Sequence, residues 1–280
     1  MFKYRDARKY AKENITGKKG RIFGYYILYL IFQGLITGII ENTFNGFIGL
    51  IIGAVISGVV TPIHVGLFRI VTNIMNNKEV KFSMLFEDYK YFVNLFVIGL
   101  VCNLAISIGY HILYIPGLLL SFIYVGILYL FIYNSDLSLN DFYNKAVEKV
   151  KLYYQECISL EFSYLWPIYL IVIVYTLIIL FLTIFYAIGN ISQIINSIQE
   201  FNFVSLLTGF IPFIIVTIVF IIALFVVAIM IIPNLLLAEA KFYSAFASDK
   251  SEEKAQKFCS NCGTKMEGKF CTNCGTKNKE

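Results

Sequence analysis

Charge is scarce in this sequence, and one long stretch almost lacks it. Charged residues make up 15% of the 280 residues, and the 77 residues from Phe162 to Ala238 include one charged side chain, Glu200. On each side of Glu200 lies an uncharged run of 38 residues, longer than the roughly 20 apolar residues that cross a bilayer. With 58% hydrophobic residues, this composition excludes an ordinary soluble domain and predicts a polytopic membrane protein.

The sequence also lacks the motifs by which many enzymes are recognised. It has two histidines, His64 and His111, and it contains no phosphate-binding loop, no His-Glu-x-x-His pair and no Gly-x-Ser-x-Gly turn. No carboxylate pair lies within a predicted span, so we expect no enzymatic activity. The net charge of +5 could suit nucleic acid, but basic residues in a membrane protein normally mark its cytoplasmic flanks. We therefore expect no nucleic-acid partner.

Apolar runs predict an all-α membrane bundle with about six transmembrane helices. The 45 residues from Tyr91 to Ser135 carry no charge and are long enough for a helical hairpin, whose break lies at Pro116 and Gly117. A short polar turn, 41–46, separates the first two spans, and a segment with an interfacial pattern separates the last two. Within a membrane domain of residues 22–247, the predicted spans are 22–40, 47–71, 93–109, 117–133, 162–188 and 206–232.

Basic residues lie on one side of the predicted membrane. All 23 Lys and Arg residues fall on the side of the N-terminus, and the three opposite turns contain as charges only Glu41 and Glu200. Because cytoplasmic segments are enriched in Lys and Arg, both termini are predicted to be cytoplasmic. The basic segment 1–21 is either a helix on the anionic inner leaflet or a solvated tail, and the sequence leaves both alternatives open.

Three amphipathic segments on the same side predict interfacial helices. They are residues 73–91, 138–154 and 237–247, in which apolar side chains recur at helical spacing among polar ones. Ser138 is a suitable N-cap for the second of them. The pattern therefore suggests three membrane hairpins, each followed by an interfacial helix.

A few polar residues lie in or beside the predicted spans. His64, in the second span, is a weak candidate for ligand binding, because ionisable groups inside a membrane are costly and often functional. A structural histidine near the interface is the commoner alternative. Arg69 is expected to extend toward the cytoplasmic surface. Glu161 and Glu239, at the cytoplasmic ends of the last two spans, are expected to pair with Lys241 or with basic loops.

The tail contains a true repeat, KFCSNCGTK at 257–265 and KFCTNCGTK at 269–277. Its cysteines form two Cys-x-x-Cys knuckles, the spacing at which four thiolates surround one ion at about 2.3 Å. These predicted ligands are Cys259, Cys262, Cys271 and Cys274. Residues 257–277 are therefore predicted to form a zinc ribbon with one structural Zn²⁺ and no open coordination position, joined to the membrane domain by a tether, 248–256. Iron is the alternative metal, and disulfides or free thiols are the alternatives without metal, although a cytoplasmic tail is kept reduced.

Both parts of the chain resemble known families. The tail resembles the short zinc-ribbon domain at the ends of many bacterial membrane proteins. Over most of residues 5–247 the body is similar to an uncharacterised bacterial six-span family, domain of unknown function 975. The similar segments include ARKYAKENITGKKGRIFGYYIL, VGLFRIVTNI, LFEDYKYF, YIPGLLLSFIYVGILYLF, LSLNDFYNKAVEKVK and IIPNLLLAEAKFYSAF. Pro167 after Trp166 departs from the Gly-Trp expected there. The resemblance implies a bacterial six-span fold and implies no activity.

Together these patterns predict a bacterial inner-membrane protein whose zinc ribbon binds a protein partner or regulates the membrane domain. The alternative is a small-molecule or ion transporter or channel component, which Pro62, Pro212 and Pro233 and the scattered polar residues of the spans would suit. An intramembrane enzyme would need a cluster of polar side chains that the sequence does not reveal. The lipid bilayer is the other predicted partner, and the sequence indicates neither an oligomeric state nor a ligand.

Overall fold

The computed structural model describes residues 3–41, 46–112, 114–189, 203–248, 257–258, 265–266 and Cys274. Within these ranges the chain is almost wholly helical. The helices are α1 (Tyr4–Asn14), α2 (Lys19–Glu41), α3 (Gly46–Met75), α4 (Phe92–Ile112), α5 (Tyr114–Tyr133), α6 (Leu139–Gly189) and α7 (Phe203–Ser248). Two 3-10 turns, Phe82–Leu85 and Glu87–Tyr91, lie between α3 and α4. In the tail, two short strands pair antiparallel, β1 (Lys257–Phe258) and β2 (Lys265–Met266).

Five helices in the described part of the chain are long and apolar enough to cross a membrane: α3, α4, α5, α6 and α7. They pack as a helical bundle, so the prediction of an all-α membrane protein is confirmed at this level. Helix α2 contains the first predicted span but is not among the five. The count of six spans stays a prediction.

Two of the predicted interfacial helices are continuous with the spans next to them. Helix α6 is 51 residues long, roughly 75 Å at 1.5 Å per residue, and it joins the segment 138–154 to the span 162–188. Helix α7 likewise continues through 237–247. The prediction of separate helices is wrong here, because 155–161 contains no glycine or proline that would end α6, and α7 continues through Pro233.

The N-cap predicted at Ser138 is confirmed. The backbone N–H of Asp141 donates to Ser138 Oγ at 3.2 Å, and Ser138 Oγ donates to the Asp141 carboxylate at 2.6 Å. This cap satisfies one of the N–H groups that the first turn of a helix leaves unpaired. Helix α6 therefore begins where the sequence predicts, although it ends much later.

The connector between α3 and α4 is not the amphipathic α-helix predicted for it. It forms the two 3-10 turns instead, with Leu85 and Asp88 fully buried. Gly66 of α3 allows this close approach, because a Cβ at that position would collide with the backbone of Leu85. The connector is thus fixed by burial against α3, which hydrophobic periodicity alone does not reveal.

Aromatic side chains form the core at the end of the bundle that carries α1. We call this end the inner end; it comprises residues 4–14, 68–91, 126–161 and 233–248. Phe68 stacks on Tyr129 with ring centroids 4.2 Å apart, and Tyr129 stacks on Tyr243 at 4.9 Å. A glycine at position 126 makes room for Tyr243, since a Cβ at Gly126 would lie 2.9 Å from that ring. The other large, fully buried aromatic side chains are Phe131, Tyr153, Phe242 and Phe246.

Candidate functional site

Two glutamates meet inside the inner end. Glu161 of α6 and Glu239 of α7 are 2% and 3% exposed, and their carboxyl groups lie within hydrogen-bonding range of each other. The prediction that they pair with Lys241 or with basic loops is wrong. Lys241 instead places its ammonium group 4.9 Å from the centroid of the Tyr10 ring. The structure therefore creates a buried carboxyl pair, which we call the acidic pair.

Two tyrosines and a cysteine surround the acidic pair. The Tyr129 hydroxyl, on α5, faces Glu239 and donates to the carbonyl oxygen of Leu236 at 3.4 Å. The Tyr243 hydroxyl, on α7, lies beside the Cys157 thiol of α6. Both tyrosine rings belong to the aromatic stack of the inner end, which fixes where their hydroxyls lie. The cluster thus combines two carboxyls, two hydroxyls and a thiol contributed by three helices.

The cluster is short of hydrogen bonds. Among the described residues, Glu161 Oε1, Glu239 Oε2 and the Tyr243 hydroxyl are buried without a hydrogen-bond partner of good geometry. Leaving a buried polar atom unpaired costs about 1–3 kcal/mol, and more for a charged group. Native proteins contain few such atoms, and those present call for an explanation such as a catalytic group, a buried water or a bound ion. This shortage distinguishes the acidic pair from ordinary packing.

The N-terminal helix packs against α6 and α7 beside the acidic pair. Ala7 and Ala11 of α1 are fully buried, and the backbone N–H of Tyr4 donates to the Glu156 carboxylate at 2.9 Å. The Arg8 guanidinium lies over the Tyr164 ring of α6, 5.0 Å from its centroid. Helix α1 is therefore a docked part of the bundle, so a solvated tail is the wrong alternative for residues 4–14, whereas a position of its exposed basic face on the inner leaflet stays a prediction.

A second buried polar contact joins α3 to its connector. Arg69 Nη2 donates to Asp88 Oδ1 at 2.6 Å, and Arg69 Nε donates to Asp88 Oδ2 at 3.0 Å. The Arg69 side chain is 25% exposed, whereas the Asp88 side chain is fully buried. Arg69 thus turns onto a carboxylate of its own chain, so the expectation that it simply extends to the surface is wrong. The two parallel bonds suit the planar guanidinium fork.

His64 lies in an aromatic cluster. Its ring stacks on Tyr29 with centroids 5.0 Å apart, and it packs against Phe68 at 4.5 Å and edge-on against Tyr124 at 6.2 Å. Thr61, on the same helix, forms a hydrogen bond of 3.1 Å with the Tyr124 hydroxyl. These contacts are typical of a histidine that packs within a helix bundle. A ligand-binding role for His64 stays a prediction.

Most of the predicted zinc ligands lie outside the described residues. Three of the four are not described: Cys259, Cys262 and Cys271. The fourth, Cys274, lies in an exposed turn. In the part of the chain that the structure describes, no group of three or more His, Cys, Asp or Glu side chains is arranged to hold a metal ion. The zinc site therefore stays a prediction, as does the assignment of its metal.

Several residues of the inner end are not singled out by sequence patterns: Asp88, Tyr129, Cys157 and Tyr243. Each is of a common type, and its surroundings come from segments far apart in the sequence. One signal was available for the acidic pair itself. Glu161 directly precedes the charge-free run of the fifth span and Glu239 directly follows that of the sixth, so two adjacent antiparallel helices would bring them to the same depth.

The fold and the site together define a helical membrane protein with a buried acidic pair at its inner end. Comparisons with protein-family models, with curated proteins and with solved structures give no match. The resemblance to domain of unknown function 975 therefore stays a prediction. What can be said of function rests on the residues of this chain.

Proposed function

We propose that this chain is a six-span protein of a bacterial inner membrane, with both termini in the cytoplasm, whose zinc ribbon binds a protein partner or regulates the membrane domain. The observation that carries the proposal is the strand pairing in the tail. Strands β1 and β2 flank the first Cys-x-x-Cys knuckle, with Phe258 opposite Lys265 and Lys257 opposite Met266. A short antiparallel pair around a knuckle is what a ribbon needs to bring its two thiolates toward one ion.

The chemistry of the four cysteines supports a structural role for the metal. Cys259, Cys262, Cys271 and Cys274 would fill all four positions of a tetrahedral zinc ion, so no position is left for water or substrate. A segment this short cannot build a hydrophobic core, and bound zinc would supply its folding free energy. A folded module on a polar tether is suited to bind another protein.

The distribution of charge supports the topology. The basic side chains of α1 lie at the same end of the bundle as Arg69 and Lys241. Because Lys and Arg mark cytoplasmic segments, the inner end faces the cytoplasm in this proposal. The tail leaves from that end as well, since α7 ends at Ser248. The ribbon would then lie in a reducing compartment that keeps its thiols available for metal.

Elemental analysis of the purified protein tests the ribbon. Wild type should contain about one zinc per chain, and the double variant Cys259→Ser, Cys271→Ser should contain none, since a tetrahedral site does not survive the loss of two ligands. Cys102→Ser makes the same chemical change outside the tail and should keep the metal. Absence of zinc from wild type, or its persistence in the double variant, would refute the metal site. Recovery of the same partners by both proteins would refute the docking role.

A transporter or channel component is the second candidate, and the acidic pair is the observation that favours it. Ionisable groups buried inside a membrane protein often belong to proton or ion pathways. Helices α3 and α7 nevertheless continue through Pro62 and Pro233, whereas many transporters use broken helices at their sites. Vesicles containing the protein should dissipate an imposed pH gradient faster than empty vesicles if this candidate is right, and at the same rate if it is wrong.

A further inference from the structure

We propose that Glu161 and Glu239 form a proton-binding site in which the two carboxyl groups share one proton at neutral pH. The ligand of this site is the proton itself. The proposal goes beyond the role of the zinc ribbon, which lies in another part of the chain. It also holds whether or not the protein transports anything, because it concerns the occupancy of a buried site.

A shared proton supplies the hydrogen-bond donor that two carboxylates lack. A carboxylate accepts hydrogen bonds but has none to donate, whereas a protonated carboxyl has one O–H donor. Glu161 and Glu239 lie within hydrogen-bonding range of each other. Two carboxylates in such contact would present only acceptors to each other. One proton between them converts the contact into a hydrogen bond.

A shared proton also reduces the charge that the site has to hold. Glu161 and Glu239 are almost fully buried, and two like charges at this separation in a desolvated site repel strongly. Within the described ranges, neither carboxyl forms an ion pair with a Lys or Arg side chain. The nearby cations are directed elsewhere, Arg8 to the Tyr164 ring and Lys241 to the Tyr10 ring. A shared proton removes one of the two negative charges where no basic residue does so.

The other groups that face the acidic pair do not neutralise it. They are uncharged at neutral pH, and they come from four sides: Tyr26 of α2, Tyr129 of α5, Cys157, Tyr164 and Tyr169 of α6, and Tyr243 of α7. On α1 the charged group nearest to this cluster is Arg8, already placed over Tyr164. None of these neighbours offers a full positive charge to the carboxyls, so the proton is the counter-charge that remains.

A proton suits this site better than a metal ion does. A hard cation needs six or more oxygen ligands at about 2.0–2.6 Å, and in the described part of the chain no group of three or more His, Cys, Asp or Glu side chains is arranged to hold one. A proton needs no such shell. The Tyr243 hydroxyl, fully buried and without a hydrogen-bond partner in the described part, lies close enough to both carboxyls to interact with them electrostatically. It can adjust to the pair in either protonation state.

The proton has a consequence for the inner end. It joins α6 to α7 at the point where α1 and α5 also pack, so its loss would place two negative charges between helices that the fold holds together. Because the folded state keeps a proton that the unfolded chain releases, stability should decrease as pH rises. The effect is expected at pH values between the pKa of the carboxyl in the unfolded chain and its pKa in the folded protein. In that window the equilibrium constant for unfolding should rise by nearly tenfold per pH unit.

Infrared spectroscopy of the full-length protein in lipid nanodiscs tests the site, with the proton as probe. The wild type should show the C=O band of a protonated carboxyl at pH 7, and this band should disappear as pH rises. Glu161→Gln and Glu239→Gln should each lower the proton affinity of the remaining carboxyl at least tenfold, since the second carboxylate is gone. The double variant should lack the band. Glu148→Gln, an exposed position on the same helix, should leave the band and its titration unchanged.

Two results would overturn the proposal. The first is the absence of the band from wild-type protein at pH 7, which requires no variant to fold. The second is an unchanged titration in both single variants, because protonation would then come from burial alone and no proton would be shared. If the variants fail to fold, the pH dependence of the wild-type apparent unfolding temperature decides, and a temperature that is constant or rises between pH 6 and 9 rejects the site.

Discussion

The two ends of the α6–α7 pair differ in what covers them. At the inner end Leu160 is fully buried, and α1, α3 and α5 pack around the two helices. Within the spans Leu177 is 60% exposed, and contacts such as the stack of Tyr175 on Phe220, with centroids 3.9 Å apart, join the helices to each other. One pair of helices therefore has a protein environment at one end and a surface suited to lipid at the other.

This difference shows which part of α6 and α7 fixes the position of the two helices relative to each other. Lipid chains are as apolar as leucine, so the exposed side chains of the spans gain little by packing together. At the inner end, the removal of apolar side chains from water and the buried polar contacts both stabilise the folded structure. We therefore expect substitutions at the inner end to cost much more stability than the same substitutions in the spans.

The largest effect is expected from Arg69→Ala. This substitution leaves the fully buried Asp88 without its partner, and removing one member of a buried ion pair costs about 3–5 kcal/mol. Denaturant titration in mixed micelles measures the free energy of unfolding.

Two control variants accompany this prediction. Lys81→Ala, at an exposed position of the same connector, should change the free energy of unfolding by less than about 0.5 kcal/mol. The double variant Arg69→Met, Asp88→Leu should recover most of the loss, because it removes both charges. A loss below about 1 kcal/mol for Arg69→Ala would show that the contact behaves as a surface pair.

A matched pair of leucines on α6 tests the comparison directly. Leu160→Ala should cost about 2–5 kcal/mol, because it leaves a cavity in a packed core. Leu177→Ala makes the same change where the side chain is 60% exposed and should cost less than about 1 kcal/mol, since lipid chains can fill the space. The measurement is again the free energy of unfolding in mixed micelles. Equal losses at the two positions would refute the distinction between the two ends.

The sequence predicts the membrane class well because the signal is local. Uncharged runs longer than a bilayer is thick leave few alternatives to a helix. The N-cap at Ser138 is local as well, since it depends on one hydroxyl and the first turn of α6. The helix length of α6 is harder to predict, because amphipathic and fully apolar segments can follow each other with no residue that ends the helix between them.

The acidic pair could not be predicted because it depends on contacts between distant segments. Glu161 and Glu239 lie on different helices, and a glutamate at the end of a span ordinarily extends to water or to a lysine. The packing of α1, with Ala7 and Ala11 buried, and the aromatic side chains of α5 and α7 together keep water from them. The basic residues of α1 indicate a surface helix, and its two alanines give a weak signal for docking. The pairing of Arg69 with Asp88 was hidden in the same way, since the connector gave an amphipathic pattern.

The smallest effect is expected from the hydroxyl contact between the spans. The Thr217 hydroxyl donates to the carbonyl oxygen of Phe213 at 2.8 Å, so Tyr175, 3.2 Å away, is the donor in their contact. Tyr175→Phe removes that donor and retains the ring that stacks on Phe220. Hydrogen bonds between membrane helices average about 0.6 kcal/mol, and Tyr175→Phe should cost no more than about 1 kcal/mol. A double-mutant cycle with Thr217→Val should show that the two losses are not additive. A loss of unfolding free energy near that of Leu160→Ala would mean that contacts within the spans hold α6 and α7 together as firmly as those at the inner end do.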